Sequence, residues 1–352
     1  MNAAIHAVEY HLPAEPLSNA ALARQFPDWT AEKIEAKTGI VNRRLAAPDE
    51  CASDLAVRAA CKLFERPACR PDDVDFLLLC TQSPDYLLPT TACIVQHRLG
   101  IPTSAGALDI NLGCSGYVYG LSLAKGLIET GQARNVLLLT CETYSKFMDR
   151  GDFNVRALFG DGASATLIQA EPADVGDGRG CIGPFVFGTD GRGAENLIVR
   201  RGGTRHMAAD QANAADSGID NARDPAALFM NGPEIFTFTL KAVPDCIEKL
   251  LAKARIDIGE VDLFVFHQAN SFMLEHLRKK LQIPVGKFVY AMEDCGNTTS
   301  STIPIALCRE ASNGRLRHGS LLMLVGFGVG YSWAAALLRW CGPNAPEPDL
   351  DS

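Results

Sequence analysis

Two apolar runs, each entered through Val-Asp, constrain this chain more than any other feature: Val74-Asp75-Phe76-Leu77-Leu78-Leu79 and Val261-Asp262-Leu263-Phe264-Val265-Phe266. Each reads as a buried strand, because its apolar residues lack the polar alternation of a half-exposed one. A second pair follows at a similar offset, GQARNVLLLT (131–140) and GRLRHGSLLMLVG (314–326). Both have a glycine where a helix ends, a basic turn, and then a buried strand. ASATLI (163–168) and WAAALL (333–338) then read as paired closing strands. Elements that return in the same order predict a duplicated α/β unit rather than two unrelated domains. The 352 residues suffice for two such halves and a sizeable core.

Between the halves the composition changes. EPADVGDGRG, TDGRGAEN and DQANAADSGIDNARDP are rich in Gly, Asp, Asn and Ala and read as loops. The expected division is an N-terminal half over 1–170, a loop-rich insertion over 171–229 flanking a substrate channel, a C-terminal half over 230–342, and a tail over 343–352.

Several function classes are disfavoured. A net charge of −8 argues against a nucleic-acid partner. The 12 cysteines form no C-x-x-C pair, so no metal site is expected. All but one read as small buried hydrophobes of a reducing, cytoplasmic protein. The start, MNAAIHAVEYHLP, lacks a basic region followed by an apolar one, so no signal peptide is expected. Leu321 to Leu338 is uncharged and long enough to suggest a membrane helix. Gly326, Gly328 and Gly330 near its middle favour two buried strands joined by a glycine turn, and no membrane association is expected.

The exceptional cysteine is Cys114. AGALDINL (105–112) reads as a strand, and Val118, Leu121, Ala124, Leu127 and Ile128 recur at helical spacing, with Gly131 at the C-cap. Cys114, in GCSG, therefore falls where a strand meets a helix. Free N–H groups and the helix dipole there are expected to lower a thiol pKa and favour thiolate. A nucleophile needs a base and a further polar group. His267 directly follows the buried run 263–266, at the strand end where open α/β sheets place their sites. Asn297 lies in the polar loop CGNTTSSTIP. GFGVGYSW (326–333) lacks dinucleotide-binding spacing and better suits a backbone N–H aimed at an oxyanion.

Together these segments resemble the β-ketoacyl-acyl-carrier-protein synthase III family from about Trp29 to Trp340. The matching landmarks are KTGIVNRR (37–44), DINLGCSGY (109–117), FGDGASA (159–165), NGPEIF (231–236), HQAN (267–270), GNTTSSTIP (296–304) and GFGVGYSW (326–333). The resemblance implies a five-layered αβαβα thiolase-like fold built from two duplicated halves, and a homodimer. It implies a Cys114, His267, Asn297 triad, with the N–H groups of Cys114 and Gly330 as oxyanion hole. An acyl thioester would load Cys114. A malonyl thioester would then lose carbon dioxide, and its carbanion would attack the acyl-cysteine. No metal or redox cofactor is implied, since thioesters of coenzyme A or of carrier-protein phosphopantetheine are the substrates. Lys37, Arg150, Gly232, Phe236, Ala269 and Asn270 occupy the family's substrate-binding positions. Leu88, in SPDYLLP (83–89), occupies that of the cap crossing the dimer to the partner's acyl pocket.

The chain departs from the family's pattern at its mouth. Lys33 stands where a Trp is common, Pro233 replaces an Asn, and Phe272 replaces a docking Arg. These departures favour donors carried by an acyl carrier protein, with Arg278-Lys279-Lys280 as a candidate docking patch. They also favour a specialised role, in secondary-metabolite or surface-polysaccharide biosynthesis. Fatty-acid initiation and a non-condensing acyl transfer to an alcohol or amine are the alternatives, and Asn297 argues against the second.

Overall fold

The computed structural model describes residues 1–66, 69–172, 181–206 and 224–342. In chain order the first half runs β1 (Asn2–His11), α1 (Ala52–Phe64), β2 (Phe76–Cys80), α2 (Thr91–Leu99), β3 (Gly106–Ile110), α3 (Gly116–Glu129), β4 (Asn135–Glu142) and β5 (Gly162–Glu171). The second runs β6 (Ile182–Thr189), α4 (Gly232–Ala254), β7 (Leu263–Phe266), α5 (Ser271–Lys280), α6 (Thr302–Ser312), β8 (Leu321–Gly328) and β9 (Ser332–Arg339). One sheet has the order β1-β5-β4-β2-β3 and the other β6-β9-β8-β7. Element for element the two orders match. The strand opposite β3 is reduced to one parallel bridge, Phe264 to Phe288.

Side-chain alternation turns these sheets into five layers. Leu77 and Leu79 of β2, Leu137 and Leu139 of β4 and Leu167 of β5 pack outward against α1 and α2. Their neighbours Leu78, Val136, Leu138 and Ile168 point inward, onto Leu121, Ile128, Ile303 and Leu307 of the central helices α3 and α6. Leu263, Val265, Leu322 and Leu324 close that central layer from the second sheet. Phe264, Phe266, Met323 and Val325 face the other way, onto Val243, Ile247, Leu274 and Leu277 of α4 and α5. Both sheets are covered on both faces, which is why their strands read as unbroken apolar runs. The chain has the thiolase fold.

The Val-Asp repeat has a shared physical cause. The Asp75 carboxylate accepts from the N–H groups of Arg134 and Asn135, at 2.7 and 2.9 Å, at the start of β4. The Asp262 carboxylate accepts from the Leu321 N–H, at 2.8 Å, at the start of β8. Each aspartate fixes the register of two neighbouring parallel strands.

Two readings are corrected. Ile182–Thr189, placed among loops by its Gly- and Asp-rich flanks, is strand β6, paired with β9 and buried at Ile182 and Phe185. The expected loops at 173–180 and 207–223, and the tail 343–352, lie outside the described residues. The cysteines are also less uniform than expected. Cys61 and Cys93 are exposed, and Cys51, Cys181 and Cys341 are half-buried. Cys61 and Cys93 lie off the core-facing stripes of α1 and α2. Leu321 to Leu338 forms β8 and β9, antiparallel neighbours. Among the described residues no helix is long and apolar enough to cross a membrane.

Candidate active site

Cys114, His267 and Asn297 line one cavity of about 700 Å³. Cys114 and His267 are delivered by loops beyond the C-terminal ends of β3 and β7, and Asn297 by the loop that leads into α6. Cys114 lies between β3 and α3, and is 5% exposed. Its elbow rests on β8. A Cβ at Gly328 would stand 2.8 Å from the Cys114 sulfur, so only glycine leaves room there. Ser115 and Ser332 share a hydrogen bond of 2.8 Å, pinning the elbow to β9.

The thiol differs from expectation. Burial pushes it up to about 12, aided by the Glu142 carboxylate, while the Val329 N–H pulls the other way. Burial thus disfavours the thiolate that the position before α3 was expected to favour. Desolvation of a sulfur anion outweighs a few oriented dipoles. His267 is neutral, because burial lowers it to about 3. Its ring packs edge-on to Phe327, and its Nδ1 lies 2.8 Å from the Thr302 hydroxyl. Thr302 is in turn 2.9 Å from the Thr299 carbonyl.

Asn297 is clamped through its backbone. Its N–H donates to Leu158 and its carbonyl accepts from Gly160, at 2.9 and 3.1 Å. That is the work of FGDG: a Cβ at Gly160 would sit 2.1 Å from the Cys295 carbonyl, so only glycine admits the loop. Asp161 anchors the motif from below, accepting from the N–H groups of Ala46 and Ser145 and from the Ser145 hydroxyl. Asn297 Oδ1 accepts from the Thr299 N–H at 2.9 Å.

Of the other expected site residues, Lys37, Gly232, Phe236, Ala269 and Asn270 line the same cavity. Asn270 also caps α5, accepting from the Met273 N–H. Arg150 lines a neighbouring cavity with Lys146 and Arg156. Gly330 forms the β8–β9 turn at φ 137°, one residue beyond the N–H that reaches Cys114. Leu88 is 86% exposed, beside Leu87 and Tyr86. At the mouth Trp29 stacks on Phe153 at 4.2 Å, and the Lys37 ammonium lies 4.8 Å from the Trp29 ring. The run 278–280 also makes contacts within the chain. Arg278 and Lys279 pair with Glu275, and Lys280 donates to the Leu240 carbonyl.

Sequence reasoning missed two groups. Thr302 is one hydroxyl in a run of five, and only the fold shows that it meets His267. Glu142 carried a signal, a charge ending the apolar run VLLLTCE. It is fully buried and accepts from the Gln82 N–H and from the hydroxyls of Ser83 and Ser300. Burial pushes its carboxyl up to about 8. Among the described residues no cluster of three or more His, Cys, Asp or Glu is placed to hold a metal ion.

Comparison with known proteins agrees with this geometry. Residues 108–191 match the family model of 3-oxoacyl-[acyl-carrier-protein] synthase III, and residues 251–340 match the model of its C-terminal part. The chain is 34% identical over 330 residues to the β-ketoacyl-[acyl-carrier-protein] synthase III of Caldanaerobacter subterraneus, covering 94% of this chain and 95% of that protein. A crystal structure of a 3-oxoacyl-(acyl-carrier-protein) synthase III superposes with a TM-score of 0.92 at 57% identity, covering 97% of this chain and all of the other. The priming β-ketosynthase of the R1128 polyketide pathway superposes at 0.85 with 29% identity, covering 98% and 97%.

Proposed function

Because the chain belongs to the 3-oxoacyl-[acyl-carrier-protein] synthase III family and is a condensing acyltransferase, we propose that Cys114 is its nucleophile and that His267 and Asn297 serve the malonyl half of the reaction. One observation carries this reading. Asn297 Oδ1 is taken by Thr299 and His267 Nδ1 by Thr302, which leaves the Asn297 amide NH2 and His267 Nε2 for the cavity they share with Cys114.

The protons can be followed. With the Thr302 hydroxyl donating to Thr299, His267 carries its proton on Nδ1 and Nε2 is an acceptor. Cys114 attacks the acyl thioester carbonyl and its thiol proton passes to Nε2. The departing thiolate then takes that proton away. A malonyl thioester next binds with its carbonyl against the Asn297 NH2. Proton exchange with solvent converts the ring to its Nε2–H tautomer, Thr302 turns its hydroxyl onto Nδ1, and both groups donate to the enolate formed as carbon dioxide leaves. Donors aimed at developing charge in a dry site are worth about 10²–10³ in rate. The carbanion attacks the acyl-Cys114 carbonyl, the acyl C–S bond breaks as the β-ketoacyl thioester is released, and the Cys114 thiolate takes up a proton from solvent. The N–H groups of Cys114 and of the β8–β9 turn, Gly330 included, hold the oxyanion.

The donor is carried on an acyl carrier protein. The Trp29 and Phe153 aromatic surface beside the mouth is occupied within the chain, so a nucleotide ring finds no open platform there. The largely apolar cavity and the likeness to a priming ketosynthase favour a specialised pathway. The protein is a homodimer: β3 is the edge of its sheet with Leu108 exposed, and Tyr86, Leu87 and Leu88 project into solvent. A second copy covers such a surface, which a monomer seldom leaves bare.

Intact-mass spectrometry with acyl thioesters, on coenzyme A and on carrier protein, tests the reading. Wild type gains one acyl mass, faster from carrier protein, and Cys114→Ala gains none. Acylation of the alanine variant would overturn the assignment.

A further inference from the structure

Two cysteines far from the active site meet. Cys181 directly precedes β6, and Cys341 follows β9 by one residue beyond Arg339 and Trp340. The strands run antiparallel with Ile182 opposite Leu338, and the Arg339 N–H donates to the Cys181 carbonyl at 2.8 Å. That register brings both side chains to one end of the sheet, where the sulfurs lie 2.7 Å apart. Both residues are half-buried, open enough for a small reagent, whereas Cys69, Cys80, Cys141, Cys246, Cys295 and Cys308 are enclosed. Arg339 and Lys125 bring positive charge to Cys181, and Glu171 brings negative charge. The hydrogen bond from the Cys341 thiol outweighs burial and holds the Cys181 thiol below its usual range, favouring thiolate there.

We propose that Cys181 and Cys341 are a redox-active pair that closes to a disulfide, stapling edge strand β6 to the end of β9. The oxidant is hydrogen peroxide. The Cys181 thiolate attacks one peroxide oxygen; the O–O bond breaks, a sulfenic acid forms, and hydroxide leaves and is protonated to water. The Cys341 thiol then attacks that sulfur. The S–S bond forms, the S–O bond breaks, and hydroxide leaves with the Cys341 proton as a second water. Two thiols lose two electrons and one peroxide gains them. A dithiol reductant reverses the bond by exchange.

The consequence is mechanical. Among the described residues β6 pairs only with β9, so it is an edge held on one side. A bridge between residues 160 apart in sequence constrains the unfolded chain strongly. The pair sits at the far end of β9 from Gly328 and Cys114, roughly 24 Å away at the rise of a strand. It therefore stabilises the second sheet without entering the site.

The test uses the full chain treated with hydrogen peroxide, alkylated with iodoacetamide and digested without reductant. A cross-linked peptide joining Cys181 to Cys341 is expected, two hydrogens lighter than its separate parts and resolved by dithiothreitol. The oxidised protein unfolds a few degrees above the reduced one. Cys341→Ser forms no such peptide, shows no peroxide-dependent rise, and leaves Cys181 open to dimedone as its sulfenic acid. Recovery of the two cysteines as separate peptides after peroxide, or Cys181 bridged to a different cysteine, would overturn the proposal.

Discussion

The two halves reach the centre of the molecule by the same path and do different things there. α3 begins at Gly116 and α6 at Thr302, so Cys114 and Ser300 hold matching positions two residues before each helix. β4 and β8 are both eight residues long, so Glu142 matches Gly328 at their ends. Across the centre, Gly328 makes room for the Cys114 sulfur, while Glu142 accepts a hydrogen bond from Ser300 at 3.2 Å. One contact leaves space around the sulfur proposed as nucleophile. Its counterpart is a filled, hydrogen-bonded plug. The comparison extends to the Val-Asp strands, where Cys80 takes the place of His267 and is enclosed, bonded to the Leu112 carbonyl. Duplication supplied two potential sites. One holds the proposed nucleophile, and the other ties down the loop that carries Asn297.

Breaking the polar side of this arrangement has the largest effect. Thr302→Val removes the hydroxyl that orients His267, and condensation falls roughly 10- to 100-fold, a part of what acid–base groups contribute. KM for the malonyl thioester changes little, and Thr302→Ser restores the rate. An unchanged kcat in the valine variant would show that Thr302 does not orient the ring.

The plug is tested by pH. The Glu142 carboxyl titrates near 8 in the fold, against about 4.3 in an unfolded chain. Between those values the folded protein holds a proton that the unfolded chain has released. Stability therefore falls as pH rises through that window, by up to about 1.4 kcal/mol per pH unit. Glu142→Gln mimics the neutral carboxyl and flattens this contribution, so thermal unfolding followed from pH 5 to 8 (about the window above) loses part of its downward slope. An unchanged slope would place the cost elsewhere.

The smallest effect concerns the seam between halves. Ser332→Ala leaves the buried Ser115 hydroxyl without its partner and lowers the unfolding free energy by about 1 kcal/mol in denaturant titration. No change would mean that packing alone seats the elbow.

These contrasts also show what was legible beforehand. The duplicated α/β unit could be read because Asp75 and Asp262 do the same local job and buried strands have a distinct pattern, whereas the thiolase fold came from the family resemblance of the motifs. Cys114 and His267 stood out because each follows a strand-like run, and Asn297 because it sits in a polar loop within a family motif. The state of the Cys114 thiol could not be read, since burial is a property of the whole fold. Thr302, Glu142 and the Cys181–Cys341 pair were hidden for a related reason. Each acts on a partner distant in sequence, and no local spacing encodes that meeting. Strand β6 was masked by glycine- and aspartate-rich flanks that outweighed its own Phe185, Val186 and Phe187.

The central claim is a division of labour: sulfur from the first half, polar donors from the second. Single-turnover measurement on Asn297→Ala separates them, following acyl mass on Cys114 and carbon dioxide release from a malonyl thioester in the same sample. Acyl loading should proceed at close to the wild-type rate while decarboxylation falls by about 10²–10³-fold. Loss of loading together with decarboxylation, or decarboxylation at the wild-type rate, would contradict the account.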